Sequence, residues 1–157
     1  MVEERFTHLD EDGHVHMVDV AGKDPTHREA TAEAQLVMER STRDRLFAGD
    51  LPKGDALAVA RVAGIMAAKR TAELIPLCHP IAITAVSIEV TPSDRGAFLQ
   101  ATVSTRDRTG VEMEAMTAAS VAALTLYDMI KGVERGAHIV DVRLVAKSGG
   151  RSGEWIR

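Results

Sequence analysis

The chain has little of several residue types that would assign it to particular protein classes. Aromatic residues make up only 3% of its 157 residues, which disfavours binding of single-stranded nucleic acid by base stacking. The single cysteine, Cys78, excludes a disulfide framework and a cysteine-based zinc site, and it fits a reducing cytoplasm. No run of about 18 apolar residues is present, so no transmembrane helix is predicted. Residues 1–12 are charged and lack the apolar centre of a secretion signal.

The net charge, the length and the alanine content indicate which ligands, how many domains and what assembly to expect. The net charge of −4 argues against general nucleic-acid binding. The length fits one domain, and we expect a loose polar arm over residues 1–14 followed by a single catalytic domain over 15–157. Alanine supplies much of the 45% hydrophobic share. Because each small side chain buries little area, a monomer would gain less from burial, and self-association is expected.

The hydrophobic pattern predicts an α+β fold. We expect strands over 28–38, 81–90, 97–105 and 139–146, and helices over 41–48, 56–74 and 115–133. Residues 14–20 form either a strand or an ordered extended segment, and 92–96 a turn. Ser41 and Asp55 are the expected helix caps, and Gly49 closes the first helix. The order of elements matches a ferredoxin-like fold, with an antiparallel sheet and two main helices packed on one face.

Two charged residues interrupt the apolar helix over 115–133. Asp128 and Lys131 are three residues apart, so they lie on one face, a turn apart. A buried helix face would expel or neutralise such charges, so this face should open onto a cavity or an interface. The pair is either an acid–base pair in which each group tunes the other's pKa, or an ordinary salt bridge near the end of the helix.

Two further segments carry candidate binding residues. Glu112 and Glu114 share a face if the chain there is extended, and they could hold the edge of a guanine-like ring or ligate Mg²⁺. The alternative is acidity that stabilises a helix start. His79 lies in a rigid crossing between two prolines, and it is either a binding residue or a satisfied, partly buried histidine. Cys78 is expected to contribute packing and not a nucleophile.

Basic residues favour a small anionic ligand. Lys53 precedes a helix start, where free N–H groups favour anions, and Lys69 and Arg70 end that helix. The tail over 147–153 joins basic groups to glycines that can wrap phosphates. The alternatives are that Lys53, Lys69 and Arg70 belong to a solvated basic face and that residues 147–153 are a flexible polar tail. No nucleotide-cofactor or zinc-protease motif accompanies these groups, so the pattern indicates acid–base chemistry on an anionic metabolite.

Several strings of the sequence are similar to motifs of the molybdenum cofactor biosynthesis protein C family. They are MVDV (17–20), KGD (53–55), AGI (63–65), AKRT (68–71), LIPLCHP (74–80), TGVEMEA (109–115), TAASVAALT (117–125), YDM (127–129) with Lys131, and LVAKSGG (144–150). The resemblance runs from about residue 7 to the end. Arg151 departs from it, because relatives often have lysine there.

This resemblance implies a function and a site. It implies conversion of 3′,8-cyclo-7,8-dihydroguanosine triphosphate to cyclic pyranopterin monophosphate with release of pyrophosphate, a phosphorus–oxygen lyase reaction of molybdenum cofactor biosynthesis. It also implies a homohexamer of three dimers with sites at subunit interfaces, and no cofactor beyond a possible Mg²⁺. The implied catalytic residues are Asp128, Lys131 and Lys53, and the implied or expected binding residues are Leu77, Cys78, His79, Glu112, Met113, Glu114, Asp19, Lys69, Arg70 and Lys147.

Two other functions stay open at this stage. A non-catalytic nucleotide-binding module would keep the core pattern and lose the acid–base residues, and a structural oligomer would not need charges on its most apolar helix. The presence of Lys53, Asp128 and Lys131 together favours an enzyme.

Overall fold

The computed structural model describes Leu9, residues 12–151 and residues 153–157. Its elements are β1 (Thr26–Val37), α1 (Arg40–Ala48), α2 (Ala56–Ala68), α3 (Thr71–Leu74), β2 (Ile83–Ser93), β3 (Gly96–Asp107), α4 (Glu112–Ile130), β4 (His138–Ser148) and β5 (Trp155–Ile156). Most of the predicted arm over 1–14, and Ser152 of the tail motif, lie outside the described residues. Within the described ranges, no helix is long and apolar enough to cross a membrane.

The five strands form one antiparallel sheet in the order β2-β3-β1-β4-β5. Strand β1 is central: it pairs along its whole length with β3 and, through two register shifts, with β4. The first four strands and the two long helices follow one another as strand, helix, strand, strand, helix, strand. The predicted α+β ferredoxin-like architecture is therefore confirmed.

Small side chains on β1 allow α2 and α4 to cover one face of the sheet. Alternate residues of β1 are fully buried (Ala30, Ala32, Ala34 and Leu36), while the residues between them are half-buried on the other face. Gly64 of α2 is packed so closely against α4 that an added Cβ would lie 3.1 Å from the carbonyl oxygen of Ala118 and 3.2 Å from the Cβ of Ala122. Alanine and glycine thus set a short distance between the two helices.

The structure differs from the predicted helix boundaries at two places, the start of α1 and the end of α2. Helix α1 starts one residue before Ser41, and Glu39, with an extended backbone, occupies the cap position without a side-chain hydrogen bond. The predicted cap at Ser41 is therefore wrong, whereas Gly49 ends α1 in the left-handed conformation as expected, with φ +74°. The predicted single helix to about residue 74 is also interrupted, because Arg70 is not helical (φ −116°, ψ 12°) and α3 follows as a separate turn.

Three other segments complete the frame around the site. Of the segment predicted over 14–20, Val15 makes an isolated antiparallel bridge with Leu9, and residues 16–20 form no strand. A turn follows at residues 21–22. Pro92 lies inside β2, which tolerates it because β2 is an edge strand. The sequence pattern missed β5, a two-residue strand that pairs with Ala146 and Lys147.

Candidate active site

Three charged side chains meet at the C-terminal end of α4. Lys131 Nζ lies 2.8 Å from Asp128 Oδ1, and Lys53 Nζ lies 2.9 Å from Asp128 Oδ2. Lys53 Nζ also donates to the main-chain oxygen of Asp128 at 2.7 Å. Because carbonyls in the last turn of a helix lack intrahelical donors, and that end carries partial negative charge, two ammonium groups are well placed here. Asp128 is thus held by one lysine on each carboxylate oxygen.

The local fold around Lys53 determines that it reaches across to α4. Gly54 adopts φ +88°, and its N–H donates to the carbonyl of Leu51 at 3.1 Å, which closes a tight turn. Asp55 then caps α2 as predicted, because its carboxylate accepts from the N–H of Ala58 at 2.9 Å. The turn and the cap together point Lys53 at Asp128, although the two residues are 75 positions apart.

The lysines shift the pKa of Asp128, and Asp128 shifts the pKa of Lys131. Hydrogen bonds from Lys131 and then Lys53 lower the pKa of Asp128 from 3.8 to about 2. Asp128 in turn raises the pKa of Lys131. At neutral pH the group is therefore a carboxylate between cationic side chains. All three side chains are about half exposed, so they can be reached by a ligand or a second chain.

A cavity of about 430 Å³ lies at the other end of α4. Its walls come from residues 18–23 before β1, from residues 77–81 around Pro80, from the turn after β3 and from the first turn of α4. The lining residues are Val18, Val20, Lys23, Leu77, Cys78, His79, Ile81, Thr109, Gly110, Glu112, Met113 and Glu114. The cavity therefore contains every residue of two predicted binding segments, 77–79 and 112–114.

Glu114 is the most unusual group in this cavity. Its side chain is almost inaccessible to solvent, with 3% exposure. Burial, together with the neighbouring charge of Glu112, raises the pKa of Glu114 from 4.5 to about 7. Burial, and then the charge of Glu114, also raises the pKa of the Cys78 thiol. A carboxyl that is part protonated near neutral pH can donate or accept a hydrogen bond toward a ligand.

The remaining polar groups of the cavity are held in place by specific contacts. His79 Nε2 lies 2.8 Å from the carbonyl oxygen of Val18. Because a carbonyl only accepts, Nε2 is the donor in this contact. The contact joins residues 77–79 to the segment before β1 that contains Val18.

The expectation that Glu112 and Glu114 share a face of an extended chain is wrong. They occupy the first turn of α4, where acidic residues are stabilised by the helix dipole. Both still line the cavity, but Glu112 binds Lys147 Nζ at 2.9 Å. Among the residues that the structure describes, no group of three or more His, Cys, Asp or Glu side chains is arranged to hold a metal ion.

The other predicted site residues lie around the cavity end of the molecule. Because Lys53 contacts the last turn of α4, α2 and α4 run antiparallel, and the exposed Lys69 and Arg70 at the end of α2 lie toward the start of α4. Asp19 lies between two cavity residues but is not itself part of the lining, and its carboxylate accepts from the N–H of Ala21 at 2.8 Å.

The predicted residues therefore form two groups that one chain does not bring together. Glu112 and Asp128 are sixteen residues apart on α4, which is about 24 Å along a helix axis. The cavity and its cations stand at one end of α4, and the Lys53–Asp128–Lys131 group stands at the other. A single small ligand cannot touch both groups within one chain.

Comparisons with known proteins show which family this chain belongs to. Residues 17–150 match the model of the MoaC family. The chain belongs to the MoaC family. A relative from Roseiflexus castenholzii is 58% identical over 96% of this chain and 97% of its own length. Relatives from Chloroflexus aurantiacus and Streptomyces avermitilis are 56% and 53% identical, over 97% and 99% of this chain and 94% and 91% of theirs. All three are named cyclic pyranopterin monophosphate synthase.

The structure adds cavity residues that sequence reasoning did not select in this MoaC family member. Lys23 lines the cavity, and its main-chain oxygen accepts from Arg108 Nε at 2.8 Å. Ile81 belongs to the lining as well. No periodicity or spacing marks Lys23, because it lies in an irregular segment, where its N–H donates to the carbonyl of Val20 at 3.0 Å.

Proposed function

We propose that this chain converts 3′,8-cyclo-7,8-dihydroguanosine triphosphate to cyclic pyranopterin monophosphate and pyrophosphate. The observation that carries the proposal is the Lys53–Asp128–Lys131 group on a chain that is 53–58% identical, over nearly its whole length, to proteins named for this synthase. A non-catalytic relative would not need two ammonium groups fixed on one carboxylate at 2.8–2.9 Å.

The two lysines act as proton carriers, and Asp128 favours the charged form of Lys131. The overall change has no net redox step, but one purine-derived ring opens and a pterin ring closes, so protons must be moved between nitrogen and oxygen atoms. With its pKa lowered to about 2, Asp128 stays ionised and is a poor base by itself. It holds Lys131 as an ammonium ion, which is the form that donates a proton.

The cavity at the start of α4 binds the substrate. Glu114 and the main chain of 77–79 hold the guanine-derived ring, with Met113 against it. Lys69, Arg70, Lys147 and Lys23 offset phosphate charge, which grows when a sugar hydroxyl oxygen bonds to the α-phosphorus and the bond to the leaving pyrophosphate breaks. The proton of that hydroxyl passes to a neighbouring base. Any Mg²⁺ enters with the phosphates, since Glu112 is already engaged by Lys147.

The complete site forms between chains of a homohexamer built as a trimer of dimers. The separation of about 24 Å between Glu112 and Asp128 supports this, because a second copy can place its catalytic group over the cavity of the first. Exposed apolar side chains support self-association too. Val59, Val62 and Met66 are each about half exposed and recur on one face of α2. In this assembly, residues 15–157 act as one catalytic domain in the cytoplasm.

Turnover of the cyclised nucleotide, followed by assay of pyrophosphate and of the pterin product, tests the proposed activity. Wild-type protein should form both products, and Asp128→Ala or Lys53→Ala should form neither while the oligomer survives. Near-normal turnover by either variant would contradict the assignment of the catalytic group. Binding of the nucleotide without any turnover by the wild type would instead support a binding module.

Complementation between two inactive variants tests whether the site is shared. Asp128→Ala keeps the cavity and Lys147→Ala keeps the catalytic group, so co-expressed chains can rebuild intact sites at mixed interfaces. With random assembly about a quarter of sites should be intact, and activity should recover to that fraction. A doubly substituted chain co-expressed with Lys147→Ala is the control and should stay inactive. No recovery in purified mixed oligomers would show that each site lies within one chain.

A further inference from the structure

The guanidinium of Arg28 lies where three segments of the chain meet. Arg28 is on β1, and its Nε donates to the main-chain oxygen of Asp107 at 2.9 Å, while Nη2 donates to that of Arg108 at 3.1 Å. These two carbonyls begin the turn from β3 to α4, and the same turn supplies residues 109–110 to the wall of the cavity. The Arg28 side chain therefore holds this wall of the cavity through hydrogen bonds to the main chain of the turn that forms it.

The other side of the same guanidinium borders the C-terminal glycines. A Cβ added to Gly150 would collide with Arg28 Nη1, and a Cβ added to Gly149 would collide with the main-chain oxygen of His27. Both glycines have positive φ, +91° and +71°, a conformation that other residues rarely adopt. The glycine pair thus leaves room for the guanidinium and lets the chain after β4 pass close to β1.

A small cleft connects these contacts to the binding residues. Arg28, Gly110, Glu112, Lys147 and Gly149 all line it. Lys147 lies two residues before Gly149 and binds Glu112, so the chain that leads into the glycines is also joined to the start of α4. Arg28 does not line the cavity itself, and any effect on a ligand must pass through these neighbours.

We propose that Arg28 is a positioning residue for the cavity. It clamps the turn over 107–110 to the Gly149–Gly150 segment, and so determines where the turn and Glu112 stand when substrate binds. The kinetic part of this inference rests on the proposed function. The structural part, that Arg28 holds the turn beside the Gly149–Gly150 segment, does not depend on that function. It follows from the hydrogen bonds to Asp107 and Arg108 and from the close approach to Gly150.

Kinetics of Arg28→Ala and Arg28→Lys test the role. Since the hydrogen bonds of Arg28 go to the turn that walls the cavity and not to Lys53, Asp128 or Lys131, Arg28→Ala should raise KM about tenfold and change kcat less than about threefold. Lysine carries the charge but lacks the planar fork that reaches two carbonyls, so Arg28→Lys should restore part of the loss. An unchanged KM in Arg28→Ala, or a loss confined to kcat, would overturn the proposal.

A double-mutant comparison tests the contact with Gly150 directly. A methyl group at residue 150 displaces the guanidinium, so Gly150→Ala should reproduce the rise in KM. Once Arg28 is alanine, the same substitution should raise KM no further, because the colliding atom is gone. The matched control is Gly49→Ala: Gly49 also has positive φ, at +74°, but it ends α1 and an added Cβ meets nothing within 4 Å, so KM should stay within about twofold. Additive effects of Gly150→Ala and Arg28→Ala would refute the coupling.

Amide hydrogen exchange separates this proposal from the proposed function. In Arg28→Ala, the main-chain amides over 108–111 should exchange about tenfold faster, while those in the middle of α4 keep their wild-type rates. Unchanged exchange at 108–111 would overturn the clamp. Faster exchange together with a wild-type protein that lacks turnover would uphold the clamp and reject the proposed activity.

Discussion

Replacing Glu114 by glutamine should make the protein more stable above neutral pH. Folding raises the pKa of Glu114 from 4.5 to about 7, so the folded chain keeps a proton that the unfolded chain has lost. The folded state is therefore favoured most below pH 4.5, and stability falls as pH rises through the interval to about 7. Glutamine has nearly the same shape and no charge, so it lacks this loss.

The size of the effect follows from the pKa difference. A difference of about 2.5 units corresponds to about 3 kcal/mol for a fully enclosed carboxyl, and screening through the open side of the cavity lowers this to about 2 kcal/mol. The free energy of unfolding of Glu114→Gln minus that of the wild type should therefore increase by about 2 kcal/mol between pH 5 and pH 8.

Urea unfolding at a series of pH values measures this difference. Protein concentration must be held constant, because association would otherwise shift the apparent stability. Glu73→Gln, which removes a carboxylate from an exposed position on α3, is the matched control for the loss of one charge. A difference between Glu114→Gln and wild type that stays constant from pH 5 to pH 8 would refute the reasoning.

Two further predictions concern the frame that positions the site. Gly64→Val should lower the free energy of unfolding by about 1–3 kcal/mol through collision with α4, whereas Ala58→Val, at an exposed position of α2, should lower it by less than about 1 kcal/mol in urea unfolding. Equal losses would contradict the close packing. Asp55→Ala should remove about 1 kcal/mol by deleting the cap of α2, and Asp55→Asn should retain most of it. Equal thermal stability of these two variants would show that the cap contributes nothing.

Local patterns in the sequence predicted most of the fold, because burial repeats along each element. The alternation of alanine with polar residues over 28–38 indicated β1, although alanine and glutamate favour helices, and the structure confirms a strand there. Where local preference and tertiary packing differ, the prediction failed. Thr71 illustrates this: it is fully buried, and its hydroxyl donates to the main-chain oxygen of Ala68 at 3.0 Å where the predicted single helix is interrupted.

The composition also anticipated the packing of the two long helices. A chain rich in alanine and poor in aromatic residues cannot fill wide gaps between elements, so its helices must approach closely. Gly64 against Ala118 and Ala122 is that approach. The same composition leaves few rings to stack on a bound base, and among the described residues that line the cavity the imidazole of His79 is the one aromatic side chain.

The sequence by itself determined the four long strands, the two long helices, the family and the identity of most candidate site residues, because these depend on local periodicity and on short motifs. Only the tertiary structure decided which of those residues meet. Lys53 reaches Asp128 across 75 positions, and Lys147 reaches Glu112 across 35. Such contacts depend on strand register and on the antiparallel packing of α2 against α4, which no spacing along the chain encodes. The same packing separates the cavity from the catalytic group by the length of α4.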